Sequence, residues 1–188
     1  MAKAGDVIEN PVIGDRVVFL RTGAETGGAL LEIDLFAKPG ASGPPEHVHP
    51  HHEERFTVLA GTLSGRIGGR SIAAGPGEEL VVPPGTPHTW WNAGNTDFHV
   101  RVALRPAGRM DEFLEAAYGL AKDGRTNAKG LPSLLQLAVL VTAYFDTNHL
   151  AKPPLVIQKI VFGPLAILGR LLRYRSDYPY PHQRGPAK

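Results

Sequence analysis

His47-Val48-His49-Pro50-His51-His52-Glu53-Glu54-Arg55-Phe56-Thr57-Val58-Leu59-Ala60-Gly61 is the stretch on which the fold turns. His47 and His49 are two residues apart. On a β-strand, residues i and i+2 point to the same face, so both imidazoles can face one interior. A carboxylate follows at Glu53 or Glu54, and then a β-type run from Arg55 to Ala60. Farther along lies Gly77-Glu78-Glu79-Leu80-Val81-Val82-Pro83-Pro84-Gly85-Thr86-Pro87-His88-Thr89-Trp90-Trp91-Asn92. Its Pro-x-Gly turn can present His88 at the start of a further strand.

Working outward, residues 5 to about 106 are rich in Gly, Pro and short β-type runs. Arg16–Arg21, Ala29–Phe36, Phe56–Leu59, Leu80–Val82 and Phe98–Leu104 are such runs. Turn pairs such as Pro39-Gly40, Gly68-Gly69, Pro84-Gly85 and Gly94-Asn95 separate them. Many short strands with regular turns predict a β-sandwich or barrel. After Pro106 the period becomes helical. Met110, Phe113, Leu114, Ala117, Tyr118 and Ala121 recur on one face, with Asp111 and Glu112 in the first turn and Gly124 as a stop. A second helix is expected over Leu134–Phe145 and a third over Leu155–Leu172, where Pro164 should kink the helix or mark a boundary. The chain divides into a barrel over 1–106 and a helical extension with a basic, proline-containing tail over 107–188.

The two quoted stretches together resemble the paired motifs of the cupin superfamily. The first motif has His-x-His, three or four residues, Glu, six residues and Gly. His47, His49, Glu54 and Gly61 match it. The leading glycine of that motif would fall at Ala41, which Gly40 and Gly43 flank. The second motif has Gly, five residues, Pro-x-Gly, two residues, His, three residues and Asn. Gly77, Pro83, Gly85, His88 and Asn92 match every position. The resemblance implies a double-stranded β-helix, a jelly-roll-like barrel of compact single-domain cupin 2 type, in a mainly β chain that ends in helices. It also implies one divalent metal ion held by His47, His49, Glu54 and His88. The spacing to Gly61 prefers Glu54 to Glu53. His51 and His52 are expected in the turn after Pro50, solvated or near the rim.

Neutral imidazole and carboxylate suit Mn, Fe, Co, Ni, Cu or Zn, and the donors do not say which. Three imidazoles and one carboxylate leave one or two coordination positions open, as a catalytic metal requires. By strand alternation, Phe56 and Val58 should share the inner face with Glu54, and Trp90 and Asn92 with His88, with Trp91 outside. These four form the expected substrate pocket or, equally, ordinary barrel core. Arg66 and Arg101 are candidates to anchor an anionic ligand or simply surface groups. His99 is expected on the outer face and His149 in a helix end or loop. The resemblance is to quercetin dioxygenase in the metal set, which implies a small-molecule metalloenzyme of oxygenase type. Glu54 would then double as ligand and catalytic base. A metal-dependent isomerase or epimerase, and a non-catalytic metal- and ligand-binding protein, stay open beside it.

Composition narrows the setting. The 188 residues contain no cysteine, which removes disulfides, thiolate metal sites and cysteine nucleophiles. The N-terminus lacks the apolar stretch of a signal peptide, so a cytoplasmic protein is expected. Net charge is +2, which is no nucleic-acid signature. The charge is uneven: from Ala151 onward seven Lys and Arg face one acid, Asp177, while 13 basic and 17 acidic residues precede them. The last two helices are apolar but interrupted by Gln136, Gln158, Lys159, Pro164 and Arg170. They read first as a hairpin packed on the barrel or on a second subunit, and second as a basic element contacting a membrane surface. A homodimer is the assembly the resemblance implies.

Overall fold

The structure, a computed structural model, describes residues 1–180 and the strand Gln183–Arg184. The end of the basic tail, including Lys188, lies outside the described residues.

Ten strands come first: β1 (Asp6–Asn10), β2 (Asp15–Arg21), β3 (Leu31–Ala37), β4 (His47–Val48), β5 (Glu53–Ala60), β6 (Leu63–Ile67), β7 (Arg70–Ala74), β8 (Glu79–Val82), β9 (His88–Trp91) and β10 (Phe98–Arg105). Then follow α1 (Met110–Lys122), α2 (Leu134–Ala143), β11 (His149–Leu150), α3 (Leu155–Leu171) and β12 (Gln183–Arg184). The strands form two antiparallel sheets, one in the order β12-β1-β2-β3-β10-β5-β8 and the other β11-β4-β9-β6-β7. All five predicted β runs are strands. β1, β6 and β7 join them without having been singled out.

Alternation explains how the sheets close on a core. In β3, Leu31, Ile33, Leu35 and Ala37 are buried while Glu32, Asp34 and Phe36 face outward. β2, β5 and β10 repeat the pattern, so Val17, Phe19, Phe56, Val58, Phe98, Val100 and Val102 meet in one interior. Each fully buried side chain of this size stabilises the fold by roughly 1.5–3 kcal/mol. The β5–β6 turn depends on Gly61, which has φ +75° and lies against the next segment. A Cβ there would stand 2.8 Å from the Asp97 carbonyl and from Phe98 Cα. β4 is short for a chemical reason. Pro44, Pro45 and Pro50 flank it and cannot donate to a ladder.

The helices pack in series. Met110 and Tyr118 of α1 belong to the barrel core. Ala116 and Leu120 of α1 then pack on Leu140 and Tyr144. Ala138 and Val139 of α2 in turn pack on Ala166 of α3. α1 is therefore part of the barrel body, and α3 is the outermost layer. α3 runs unbroken through Pro164, so no boundary falls there. Pro164 is on the exposed side of the helix.

Candidate metal centre

Four side chains from three strand segments meet at the seam of the two sheets. β4 carries His47 and runs directly into His49. β9 begins with His88, which pairs with His47 across the strands. β5 comes from the other sheet and brings Glu54. One donor atom from each of His47, His49, Glu54 and His88 lies within 4.8 Å of all the others. Glu54 Oε2 stands 2.8 Å from His88 Nε2 and 3.6 Å from His49 Nε2. His49, Glu54 and His88 are buried, and His47 is the most exposed of the four.

The hydrogen bonds decide which imidazole nitrogen is available. His47 Nδ1 lies 3.2 Å from the Pro45 carbonyl, His49 Nδ1 3.0 Å from that of Thr147, and His88 Nδ1 3.0 Å from that of Thr86. A carbonyl only accepts, so each Nδ1 carries the proton and donates it. Each Nε2 is then left with its lone pair on the side of Glu54. Glu54 Oε2 and His88 Nε2 are buried with no hydrogen bond of acceptable geometry, despite their 2.8 Å approach. Two acceptors aimed at a shared point are what a bound cation satisfies.

Protonation of His47, His49 and Glu54 agrees with that set, and His88 departs from it. Burial, with the adjacent His88 and His49 rings, pushes His47 well below the ordinary imidazole range, and burial likewise pushes His49 down. Both are thereby kept in the neutral, ligating form. For Glu54 burial acts upward, but His88, His49 and His47 together hold the carboxyl down at about 2. Burial opposes protonation of His88, yet the Glu54 carboxylate beside it raises its affinity for a proton. Positive charge is favoured next to Glu54.

Glu53 points the other way. It pairs with Arg55 on the outer face, and Arg55 reaches on to Glu79. His51 is exposed, as expected of a turn residue. His52 is not: it is buried, which corrects the expectation of a solvated or rim position. Its Nδ1 lies 2.6 Å from the Pro106 carbonyl, its ring centroid is 5.9 Å from that of His49, and its Nε2 has no partner. Gly108 makes room for it, since a Cβ there would come within 2.3 Å of the His52 ring. The period of two places His52 on the inner face with Glu54 and Phe56, and that pattern outranks the turn-forming Pro50.

Phe56, Val58 and Trp90 are buried members of the main core, with Trp90 edge-on to Phe98 at 5.5 Å and Trp91 more open. Asn92 is buried and fully engaged. Its amide donates to the Ala37 and Thr96 carbonyls and its oxygen accepts from the Gly94 N–H. Asn92 thus ties the β9–β10 loop to β3. Arg101 lies outside the barrel against Asp34, and Arg66 is exposed. His99 is on the same outer face, stacked on Phe36 at 4.2 Å.

One contributor was invisible beforehand. The extension returns to the site as β11, whose His149 and Leu150 pair with Val48 and His47 of β4. His149 is therefore in a strand, neither in a helix end nor in a loop. The Thr147 carbonyl just before β11 receives the His49 Nδ1 proton. Gln158 of α3 is buried and donates to the carbonyls of Leu150 and Pro153, which pins β11 from behind. A backbone carbonyl leaves no mark in a sequence, and a two-residue strand leaves little.

With this geometry in view, the class of protein is plain. Residues 36–104 match the family model described as Cupin domain, so the barrel is a cupin domain. It carries a His/His/Glu/His cluster that can hold a metal ion. Among curated proteins, the probable oxidoreductase virH of Hypocrea virens is 28% identical over 165 residues, covering 80% of this chain and 74% of that protein. Among solved structures, a predicted oxalate decarboxylase from Thermotoga maritima aligns with TM-score 0.46 and 22% identity, over 49% of this chain and 80% of that one. A sugar phosphate isomerase from Silicibacter pomeroyi aligns with TM-score 0.45 and 20% identity, over 50% of this chain and 61% of that one.

Proposed function

We propose that this protein is a metal-dependent oxidoreductase of oxygenase type, acting on an apolar or aromatic small molecule. The observation that carries the reading is the convergence of three Nε2 lone pairs on the Glu54 carboxylate, each imidazole oriented by an Nδ1–H to a backbone carbonyl. One divalent transition metal ion fits that donor set, whether Fe, Mn, Ni, Co, Cu or Zn. A redox-active ion there would supply dioxygen or substrate activation at its open positions. The residues supply the rest. His47, His49, Glu54 and His88 hold the ion. Glu54 is ionised and buried beside the place a substrate would take, and the resemblance, rather than its depressed pKa, is what suggests it as a proton acceptor as well as a ligand. Phe56, Val58 and Trp90 offer an apolar inner wall that excludes water and selects against charged ligands. Asn92 holds the loop at the end of β9 and through it the inner face that carries Trp90.

The similarity to a protein named as a probable oxidoreductase adds support. An isomerase or epimerase of phosphorylated sugars would call for cationic groups near the ion, and Arg66 and Arg101 both face away. A non-catalytic metal- and ligand-binding role is separated by experiment. Oxygen uptake is measured with flavonols, catechols and diketones, in protein loaded in turn with each metal. Uptake with at least one pair is the expected outcome. Full loading with every metal and no uptake with any substrate would reject the oxygenase reading.

A further inference from the structure

The helical extension carries an unusual face. α3 buries Gln158, Ala166 and Gly169 against the rest of the molecule, so its remaining side is turned outward. Val156, Ile160, Ile167 and Leu171 lie along that side at helical spacing, and they are 68%, 68%, 61% and 76% exposed. Pro164 continues the same row and is exposed too. At 1.5 Å per residue the ridge is about 22 Å long. Exposed aliphatic residues scattered singly are ordinary, but a continuous ridge marks a surface that something covers.

The charges around the ridge say what covers it. Lys152, Lys159, Arg170 and Arg173 are exposed along and beyond α3, and α3 contains no acidic residue. Beyond its C-terminal end a cleft of about 380 Å³ is lined by Arg125, Arg173, Arg175, Tyr178 and the exposed Leu172. Arg175 is held by Asp177, the one acid from Ala151 onward. Arg173 makes no ion pair among the described residues. It is also the one non-glycine residue among them with positive φ, at 65°. A second copy of this chain docked face to face would bring basic groups near basic groups with no acid on either helix to pair them. An anionic lipid surface meets both demands, apolar depth and negative charge. No helix among the described residues is long and apolar enough to cross a membrane. The ridge would therefore lie along the surface.

We propose that α3 and the arginine cleft at its end form a docking face for an anionic phospholipid surface. The ridge enters the headgroup–acyl boundary, and Arg173, Arg125 and the flanking lysines meet lipid phosphates. This inference is independent of what the metal centre does. The test is cosedimentation of the full chain with phosphatidylcholine vesicles, with and without phosphatidylglycerol, at low and high salt. Light scattering of the vesicle-free protein runs in parallel. The expected result is binding to the anionic vesicles that weakens at least tenfold in high salt and on neutral vesicles. Ile160→Glu with Ile167→Glu should lose binding by more than tenfold with an unchanged circular dichroism spectrum, because both side chains are already in water. Arg173→Glu, reversing one charge, should lose about fivefold or more. Three results would overturn the proposal: no binding by the full chain, equal binding to neutral vesicles, or binding that both variants leave intact. So would absence of vesicle binding together with a mass halved by the Ile160→Glu, Ile167→Glu pair, which would assign the face to a second subunit.

Discussion

Inside the barrel, His49, His88 and Glu54 are sequestered from water, whereas on α3 four aliphatic side chains stand more than half exposed to it. Each region departs from the usual partition of polar and apolar groups, and in opposite directions. The barrel can shelter Glu54 because three neighbours hold its charge in place. The extension can expose Ile160 and Ile167 because α3 needs only one face to stay folded, the face on α2. The contrast shows two concentrated departures, and each stands where a partner from outside the chain would complete it.

The largest effects should come from breaking the barrel's side of this contrast. His49→Ala and His88→Ala are each expected to reduce metal content from stoichiometric to background by elemental analysis. Stoichiometric metal in both variants would remove the four-ligand assignment. Truncation after Pro106 is expected to give an unfolded or aggregated chain rather than a free barrel. It strips Met110 and Tyr118 from the core, roughly 1.5–3 kcal/mol each, along with β11. A soluble, cooperatively melting fragment would show that barrel and extension are separable after all.

A third experiment concerns the join between the regions. Tyr118 of α1 donates a hydrogen bond of 2.5 Å to Asp15 of β2, and burial raises the Asp15 carboxyl to about 7. The folded state thus holds this proton more tightly than the unfolded chain does. The stability it contributes is full below about pH 4 and is lost as pH rises to about 7, an effect on the order of 3 kcal/mol. Asp15→Asn should abolish that fall, and melting curves across the window check it. Parallel pH profiles for both proteins would count against the buried carboxyl as its source.

Smaller effects should follow on the extension's side. Gln158→Ala leaves the Leu150 and Pro153 carbonyls without their donor, and is expected to cost about 1–3 kcal/mol. Through β11 and Thr147 it should also loosen His49 and weaken metal binding about tenfold, read by competition with a chelator. Unchanged metal affinity would mean that β11 is held without α3. Smallest of all, Ile160→Glu should alter the melting free energy by no more than about 0.5 kcal/mol. A larger loss would mean that the residue is packed, and the contrast between the regions would weaken.

The barrel was legible through its short strands and turns, and the four ligands through the resemblance of two distant stretches to paired cupin motifs, in which the spacing to Gly61 prefers Glu54 to Glu53. Alternation adds that His47 and His49 share a face. The same rule, applied one step back from Glu54, would have put His52 inside as well. The turn-forming Pro50 argued the other way, and alternation prevailed. The helices were legible to within one or two residues by their 3.6-residue period. Which face of α3 is covered was not, since apolar residues occur on all its sides. That choice follows from a close fit: a Cβ at Gly169 would come within 2.6 Å of Val139. The role of Thr147 was beyond reach, because it acts through its carbonyl and any residue has one.

β11 has a further consequence. In its sheet the order is β11-β4-β9, so the strand bearing His47 is an interior strand only because two residues of the extension lie along it. Without them β4 would present a bare row of amide and carbonyl groups, a template for strand addition by another chain. The outermost position is instead taken by a strand of only two residues, too short to offer a foreign strand a purchase. The extension thus guards the metal-binding edge of the sheet against aggregation.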